Sequence, residues 1–372
     1  MDELFCSGCG AKIQHEDRMR PGYVSETVLS EKEPKDLICQ RCFRIRHYSD
    51  VITTCLTNED YLNVISKIGA ENALIVKIVD IFDYTGSFVS SIKQLTGNQD
   101  VILVGNKMDL LPKNVKQDKI LSWLKMMLAN EGFNVLDCIL ISAKFGHNFD
   151  DLMDMIYKYK GNRNVYLVGS TNVGKSRIIN QILKRYMGAP VDVVTVSSNP
   201  GTTIGLIGFP LSDGTTIYDT PGVINKHQYT HYLTRPSYKT TVPKKEIKPL
   251  VFQLCEGQTL FFGGLARIDI INGETGDRIN VVTYFANTLN VHRTKTERAD
   301  ELYATKLYSL LTPPFSPDED VPKWVSHDFK IRDNLKYDVV FCGLGFVTMR
   351  GPFYVRVHAP FVVGVFIRPA II

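Results

Sequence analysis

Apolar and polar positions alternate with a changing rhythm along this chain, and the changes divide it into three parts. Residues 1–50 are polar and show no apolar periodicity, which predicts a small module without a core of its own. In 51–224, short apolar runs at 73–80, 101–105, 138–142, 165–169 and 215–219 are separated by amphipathic stretches such as 116–131 and 175–186. That alternation predicts parallel strands covered by helices, an α/β sheet. In 225–372 a basic, loop-like tract leads into strand-like runs at 260–263, 279–285, 337–349 and 353–358. An α+β or mostly β domain is expected there, with helical spacing over 299–311 and an exposed, four-proline loop at 312–322. No internal repeat is evident.

Length and composition add limits. The chain has 372 residues, enough for two or three domains, and a formal net charge of +4, too modest by itself to imply nucleic acid. The start offers no charged and then apolar leader, and the longest apolar tract, 361–367, is too short to span a bilayer. A cytoplasmic protein without membrane contact is expected. Four of the eight cysteines form two tight pairs, Cys6-x-x-Cys9 and Cys39-x-x-Cys42, with 29 residues between them. In a chain without a leader, metal binding is favoured over disulfides, and four thiolates closing one site predict a structural Zn2+. Cys55, Cys138, Cys255 and Cys342 stand among apolar neighbours and receive no role.

The segment Gly169-Ser170-Thr171-Asn172-Val173-Gly174-Lys175-Ser176 matches the phosphate-loop pattern, between an apolar run and a helical one. Its amides would form an anion nest, Lys175 would reach the outer phosphates and Ser176 would ligate Mg2+. Asp219-Thr-Pro-Gly222 lies 43 residues beyond Ser176. There Asp219 would hold the Mg2+ shell and the Gly222 amide would meet a γ-phosphate. Between them, Pro200-Gly-Thr-Thr203 suits a switch whose threonine closes on Mg2+; Thr203 is the choice and Thr202 the near alternative.

The base is indicated by Asn106-Lys107-Met108-Asp109, after the run 101–105. The Asp109 carboxylate would accept from N1 and N2 of guanine, whereas adenine would leave it unpaired. Lys107 would lie over the base and Asn106 would tie this turn to the phosphate loop. Ser142-Ala143-Lys144 would supply a backbone amide to guanine O6. GTP and GDP are therefore the expected ligands.

These motifs resemble the GTPase set, but the base-recognition motifs precede the phosphate loop, as in circularly permuted GTPases linked to ribosome assembly. With the cysteine module and the tail containing Gly263-Gly-Leu-Ala-Arg267, the chain resembles the YqeH family over essentially its whole length. The resemblance implies a 1–50 zinc finger, a 51–224 permuted P-loop GTPase domain and a 225–372 RNA- or ribosome-interaction domain. It also implies a part in maturation of the small (30S) ribosomal subunit. Val223 stands where many GTPases carry a water-orienting glutamine, so the chain is similar to the hydrophobic-substituted class, in which Asn172 would help bind K+. Slow, partner-stimulated hydrolysis follows, with Lys175, Asn172, Thr203 and Gly222 as the catalytic set.

Arg41, Arg44, Arg46 and His47, interleaved with Phe43 and Tyr48, suit RNA contact. So do Lys226, Arg235, Lys239, Lys244, Lys245 and Lys248 with Tyr229, Tyr232 and Tyr238, and a tail carrying basic residues 330, 332, 336, 350, 356 and 368. The small subunit or its precursor and rRNA are the expected partners, and DNA is not. A competing reading is a guanine-nucleotide-gated RNA-binding module with incidental hydrolysis; a GTPase of tRNA modification ranks third.

Overall fold

The computed structural model describes residues 4–7, 11–31, 37–48, 55–56, 68, 71–88, 99–187, 194–195, 206–273, 278–319 and 321–372. Cys9, Thr202 and Thr203 lie outside the described residues. Two compact units emerge: Met1–Met108 with Leu121–Asn225, and Asp109–Ile120 with Lys226–Ile372.

The first unit is built on a seven-stranded sheet. Its strands are β2 (Ala73–Asp80), β3 (Asp100–Asn106), β4 (Asp137–Leu140), β5 (Asn164–Val168), β6 (Val194–Thr195), β7 (Ile207–Pro210) and β8 (Thr216–Asp219), in the order β4-β3-β2-β5-β8-β7-β6. The strands β4 to β8 pair in parallel, and β7 and β6 complete the edge antiparallel. Every residue of β2 is buried, as a central strand covered on both faces requires. Leu74, Val76 and Ile78 join one apolar cluster, while Ala73 and Ile75 join another. In the helix Phe149–Lys160, Phe149, Leu152, Met153 and Ile156 are buried at helical spacing, making its inward stripe.

Connectivity positions the site. The chain runs outward from β2 to β3 to β4, then returns to the other side of β2 as β5. That reversal opens a crevice beyond the carboxyl ends of β2 and β5, where open α/β sheets bind ligands. The amino-terminal segment contributes helices Glu26–Glu31 and Gln40–Tyr48. Cys6, Val24, Leu37, Cys39 and Cys42 join the apolar cluster of the sheet, so this segment shares a core instead of forming one. A short pair, β1 (Cys55–Leu56) with β9 (Gly222–Val223), is parallel.

The second unit contains two antiparallel sheets. One has the order β10-β13-β17-β16-β19, from Leu250–Leu254, Ile279–Phe285, Gly345–Arg350, Lys336–Phe341 and Val365–Pro369. The other has the order β14-β11-β12-β18-β15, from Val291–Lys295, Gln258–Phe262, Ala266–Gly273, Phe353–Pro360 and Trp324–Ile331. Ile268, Ile270, Val355 and Val357 of one sheet share an apolar cluster with Val281, Val339, Phe341 and Val347 of the other. Polar ties within the unit include Ile247 N–H donating to the Leu110 carbonyl at 2.9 Å and Lys113 N–H donating to Glu246 Oε1 at 2.9 Å.

Several elements differ from the sequence expectation. The run 337–349 is a hairpin, because Cys342 and Leu344 are buried within the turn and hide the break. The helical spacing over 299–311 yields a helix only at Ala299–Lys306. The basic tract holds a helix, Arg235–Thr241, with proline in its first turn, where the missing N–H costs nothing. Among the described residues, no helix is long and apolar enough to cross a membrane.

Candidate nucleotide and metal sites

The phosphate loop connects β5 to the helix Lys175–Ile182, whose Ile178, Ile179 and Ile182 anchor it in the core. Gly174 has φ +98°, and a Cβ there would come within 2.3 Å of Asn106 Nδ2, so only glycine fits. Asn172 also has positive φ, 64°, and is exposed at the loop's apex. Lys175 is buried and its ammonium donates to the Gly169 and Ser170 carbonyls at 2.9 and 3.1 Å. The Thr171 N–H is turned to the Val223 carbonyl at 2.8 Å, and Ser170 forms a β-bridge with Val223. Ser176 is half-buried in the first turn of the helix.

Asn106 is the link between motifs that lie far apart in the chain. Its side-chain amide donates to the Val173 carbonyl at 2.7 Å, and its Oδ1 accepts from the Ala143 N–H at 2.9 Å. One buried residue thus joins the Asn106-Lys107-Met108-Asp109 turn, the phosphate loop and the Ser142-Ala143-Lys144 strap. Gln181 donates to the Ala143 carbonyl at 3.2 Å, and the Ser142 hydroxyl accepts from the Phe145 N–H at 3.3 Å. Lys144 is exposed, with its ammonium 4.9 Å from the Phe145 ring centre. Lys107 has φ 66° and donates to Asp80 Oδ2 at 2.6 Å. Asp80, at the carboxyl end of β2, was not singled out in sequence; its Oδ1 also accepts from the Phe82 N–H at 3.0 Å. Asp109 lies half-buried in the single turn Met108–Leu110.

Asp219 ends β8 and is buried. Burial pushes its carboxyl pKa up, while the Arg41 and Lys175 charges pull it down. Oδ2 accepts from the Arg41 guanidinium, and Oδ1 has no hydrogen-bond partner among the described residues. An orphaned, buried carboxylate oxygen is the kind of hard oxygen donor that fits Mg2+. Gly222 lies against the lysine: a Cβ built there would stand 3.0 Å from Lys175 Nζ. The Val223 side chain is buried in an apolar cluster and carries no polar group.

In the amino-terminal segment, Cys6, Cys39 and Cys42 bring their sulfurs within 4.8 Å of one another, all buried. The Cys39 N–H donates to Cys6 Sγ at 3.1 Å, a bond that suits a thiolate. Three converging soft donors fit a thiophilic metal. Cys138, by contrast, is a lone thiol that burial pushes up to about 11.

Three residues expected to face RNA do not. Arg41 is 3% exposed and occupied by Asp219. Tyr229 is 1% exposed and donates to the Leu265 carbonyl at 3.2 Å. Arg368 is buried on Asp338, at 3.3 Å. Arg44, Lys226, Arg235, Lys239, Lys244, Lys245, Lys248, Lys330, Arg332, Lys336 and Arg350 are exposed. Arg356 is engaged by Asp328 at 2.8 Å. The side chains of Arg46, His47 and Tyr48 lie outside the described set.

Comparison with known proteins bears on the family of the chain. Residues 164–252 match the family model described as 50S ribosome-binding GTPase, and residues 278–371 match that described as YqeH-like, C-terminal. The chain is 44% identical to the uncharacterized protein YqeH of Bacillus subtilis, over 100% of both chains. It is 31% identical to NO-associated protein 1, chloroplastic/mitochondrial, of Arabidopsis thaliana, over 92% of this chain and 69% of that one. Identity is 28% to a putative nitric oxide synthase of Oryza sativa, over 98% of this chain and 76% of that one. With a phosphate loop, an Asn-Lys-x-Asp turn that precedes it in the chain and full-length similarity, this protein belongs to the YqeH family of P-loop GTPases.

Proposed function

We propose that this chain is a guanine-nucleotide switch that hydrolyses GTP to GDP and phosphate during assembly of the small ribosomal subunit. The observation that carries the nucleotide reading is the pair of hydrogen bonds by which Asn106 donates to the phosphate loop and accepts from the Ala143 amide. Adenine-specific sites need no such tie between a phosphate loop and an Asn-Lys-x-Asp turn. In this reading Asp109 accepts from the guanine N1 and N2 hydrogens and Lys107, steered by Asp80, covers the base. The amides of residues 169–174 and the Lys175 ammonium, released from its carbonyls, hold the phosphates. Ser176, Thr203 and Asp219 would hold Mg2+, which when bound offsets phosphate charge. Gly222 would offer its amide to the γ-phosphate, and Asn172 would help hold K+ in place of an arginine finger.

Zn2+ on Cys6, Cys9, Cys39 and Cys42 would close the amino-terminal site structurally. The exposed lysines and arginines of 226–248 and 330–350 supply the phosphate contacts for rRNA, and the protein acts in the cytoplasm. The ribosomal part rests on family membership and on the description of the matching GTPase model, which names the 50S subunit. Both subunits therefore enter the test. Co-sedimentation with purified 30S and 50S subunits, in GDP and in a non-hydrolysable GTP analogue, should show analogue-dependent binding to 30S that Lys175→Ala abolishes. Binding to 50S alone, or equal binding in both nucleotides, overturns the small-subunit switch.

The burial of Val223 favours one second reading, an RNA-binding module gated by guanine nucleotide in which hydrolysis is incidental. Multiple-turnover hydrolysis in K+ and in Na+ separates the two: negligible turnover in both, with or without ribosomes, leaves the gated module.

A further inference from the structure

Arg41 sits between two metal-competent cysteines, yet its guanidinium is spent on the nucleotide site. Cys39 and Cys42 are 0% and 2% exposed and packed in the same apolar cluster as Leu167 and Ile217, the neighbours of Asp219 in β5 and β8. The backbone of Arg41 therefore cannot shift without moving sulfurs that converge with Cys6. Its side chain is 3% exposed and bonded to Asp219 Oδ2, whose own side chain is 5% exposed. A buried carboxylate left without a cation is costly, and Arg41 meets that need where no divalent ion is bound. The same carboxylate, through its unpartnered Oδ1, is the acid expected at the Mg2+ shell.

Two cations thus claim one carboxylate. We infer that Arg41 is the resident counter-ion of Asp219, against which Mg2+–nucleotide has to compete, so that the cysteine knuckle and the nucleotide site are coupled. Coupling of this kind is reciprocal: if Mg2+–nucleotide binding weakens metal affinity at the flanking cysteines, metal binding there weakens Mg2+–nucleotide affinity by the same factor. The inference rests on the guanine-nucleotide reading above. It assigns Arg41 a positioning part inside the protein instead of an RNA contact.

The test titrates Mg2+ into full-length protein with the fluorescent nucleotide mant-GDP, for the wild type, Arg41→Gln and Arg41→Lys, with zinc content measured for each. Removing the competing charge should lower the half-saturating Mg2+ concentration of Arg41→Gln roughly tenfold, with Arg41→Lys closer to wild type. Mere loss of structure would weaken binding, the opposite direction. In the wild type, Mg2+ with GDP should also speed zinc release to 4-(2-pyridylazo)resorcinol. An unchanged or raised Mg2+ requirement in Arg41→Gln at full zinc content overturns the inference. If that variant does not fold, zinc release from the wild type that ignores nucleotide overturns it equally. A wild type that binds no mant-GDP at any Mg2+ concentration defeats the nucleotide reading itself, and the coupling with it.

Discussion

Asn106 shows how much one side chain can decide. It is buried, and both ends of its amide are used on backbone groups of segments that follow it by 37 and 67 residues. Asn106→Ala would leave the Val173 carbonyl and the Ala143 amide without that partner. Each unsatisfied group costs about 1–3 kcal/mol. GDP affinity by calorimetry should fall by roughly tenfold to a hundredfold, and the melting temperature should fall by several degrees. Lys160 offers a second case, because it is 1% exposed and is held by Asp213 and by Thr215 Oγ1 at 2.9 Å. The Lys160 ammonium, and then Thr215, pull the Asp213 carboxyl from an ordinary 3.8 to about 2. A lowered carboxylate pKa stabilises the fold above its unfolded value, and the contribution disappears as pH falls through the folded one. Urea midpoints of the wild type should therefore drop between about pH 4 and pH 2. Asp213→Asn should start lower at neutral pH and show a flatter acid limb. Asp213 is 39% exposed, so solvent screening keeps the effect small.

Among elements, the phosphate loop depends on its terminal glycine. Gly174→Ala puts a methyl group at φ +98° and 2.3 Å from Asn106 Nδ2, so both the backbone and the Asn106 side chain must move. The helix Lys175–Ile182 has its own buried stripe and should persist. Circular dichroism is expected to change little and nucleotide binding to be lost; retention of wild-type GDP affinity would show that the Asn106 tie to the phosphate loop is dispensable. The strand runs of the first unit were legible because a parallel strand covered on both faces is a continuous apolar run. Those of the second unit were less so. Its strands β14 and β15 mix half-buried with exposed positions and carry charged residues, Arg293 and Asp328 among them, leaving weak apolar runs. Strand β10 was hidden behind the basic tract, with four of its five residues incompletely buried.

Over the molecule, each unit has its own apolar cluster and its own buried ion pair. Asp338 accepts from Thr348 at 2.6 Å, from the Ile371 N–H at 3.1 Å and from Arg368. Breaking a buried pair on one side costs about 3–5 kcal/mol. Scanning calorimetry should show Asp338→Ala lowering the transition of the second unit, and GDP with Mg2+ raising that of the first, since a ligand stabilises what it binds. A single transition that both perturbations move alike would show that the units unfold together.

The chemistry of the site was written in local patterns, since a phosphate loop, an Asn-Lys-x-Asp turn and paired cysteines each need particular residue types within a few positions. So was the permuted order, which is a property of the chain itself. Partnerships across long separations were not legible: Arg41 with Asp219, Lys107 with Asp80, and Thr171 with Val223. A basic residue beside aromatics reads the same whether it faces solvent or a buried carboxylate. For Arg41, Tyr229 and Arg368 that choice was made by packing, because burial in a dense core leaves a polar group one acceptable state, bonded to whatever the fold brings against it.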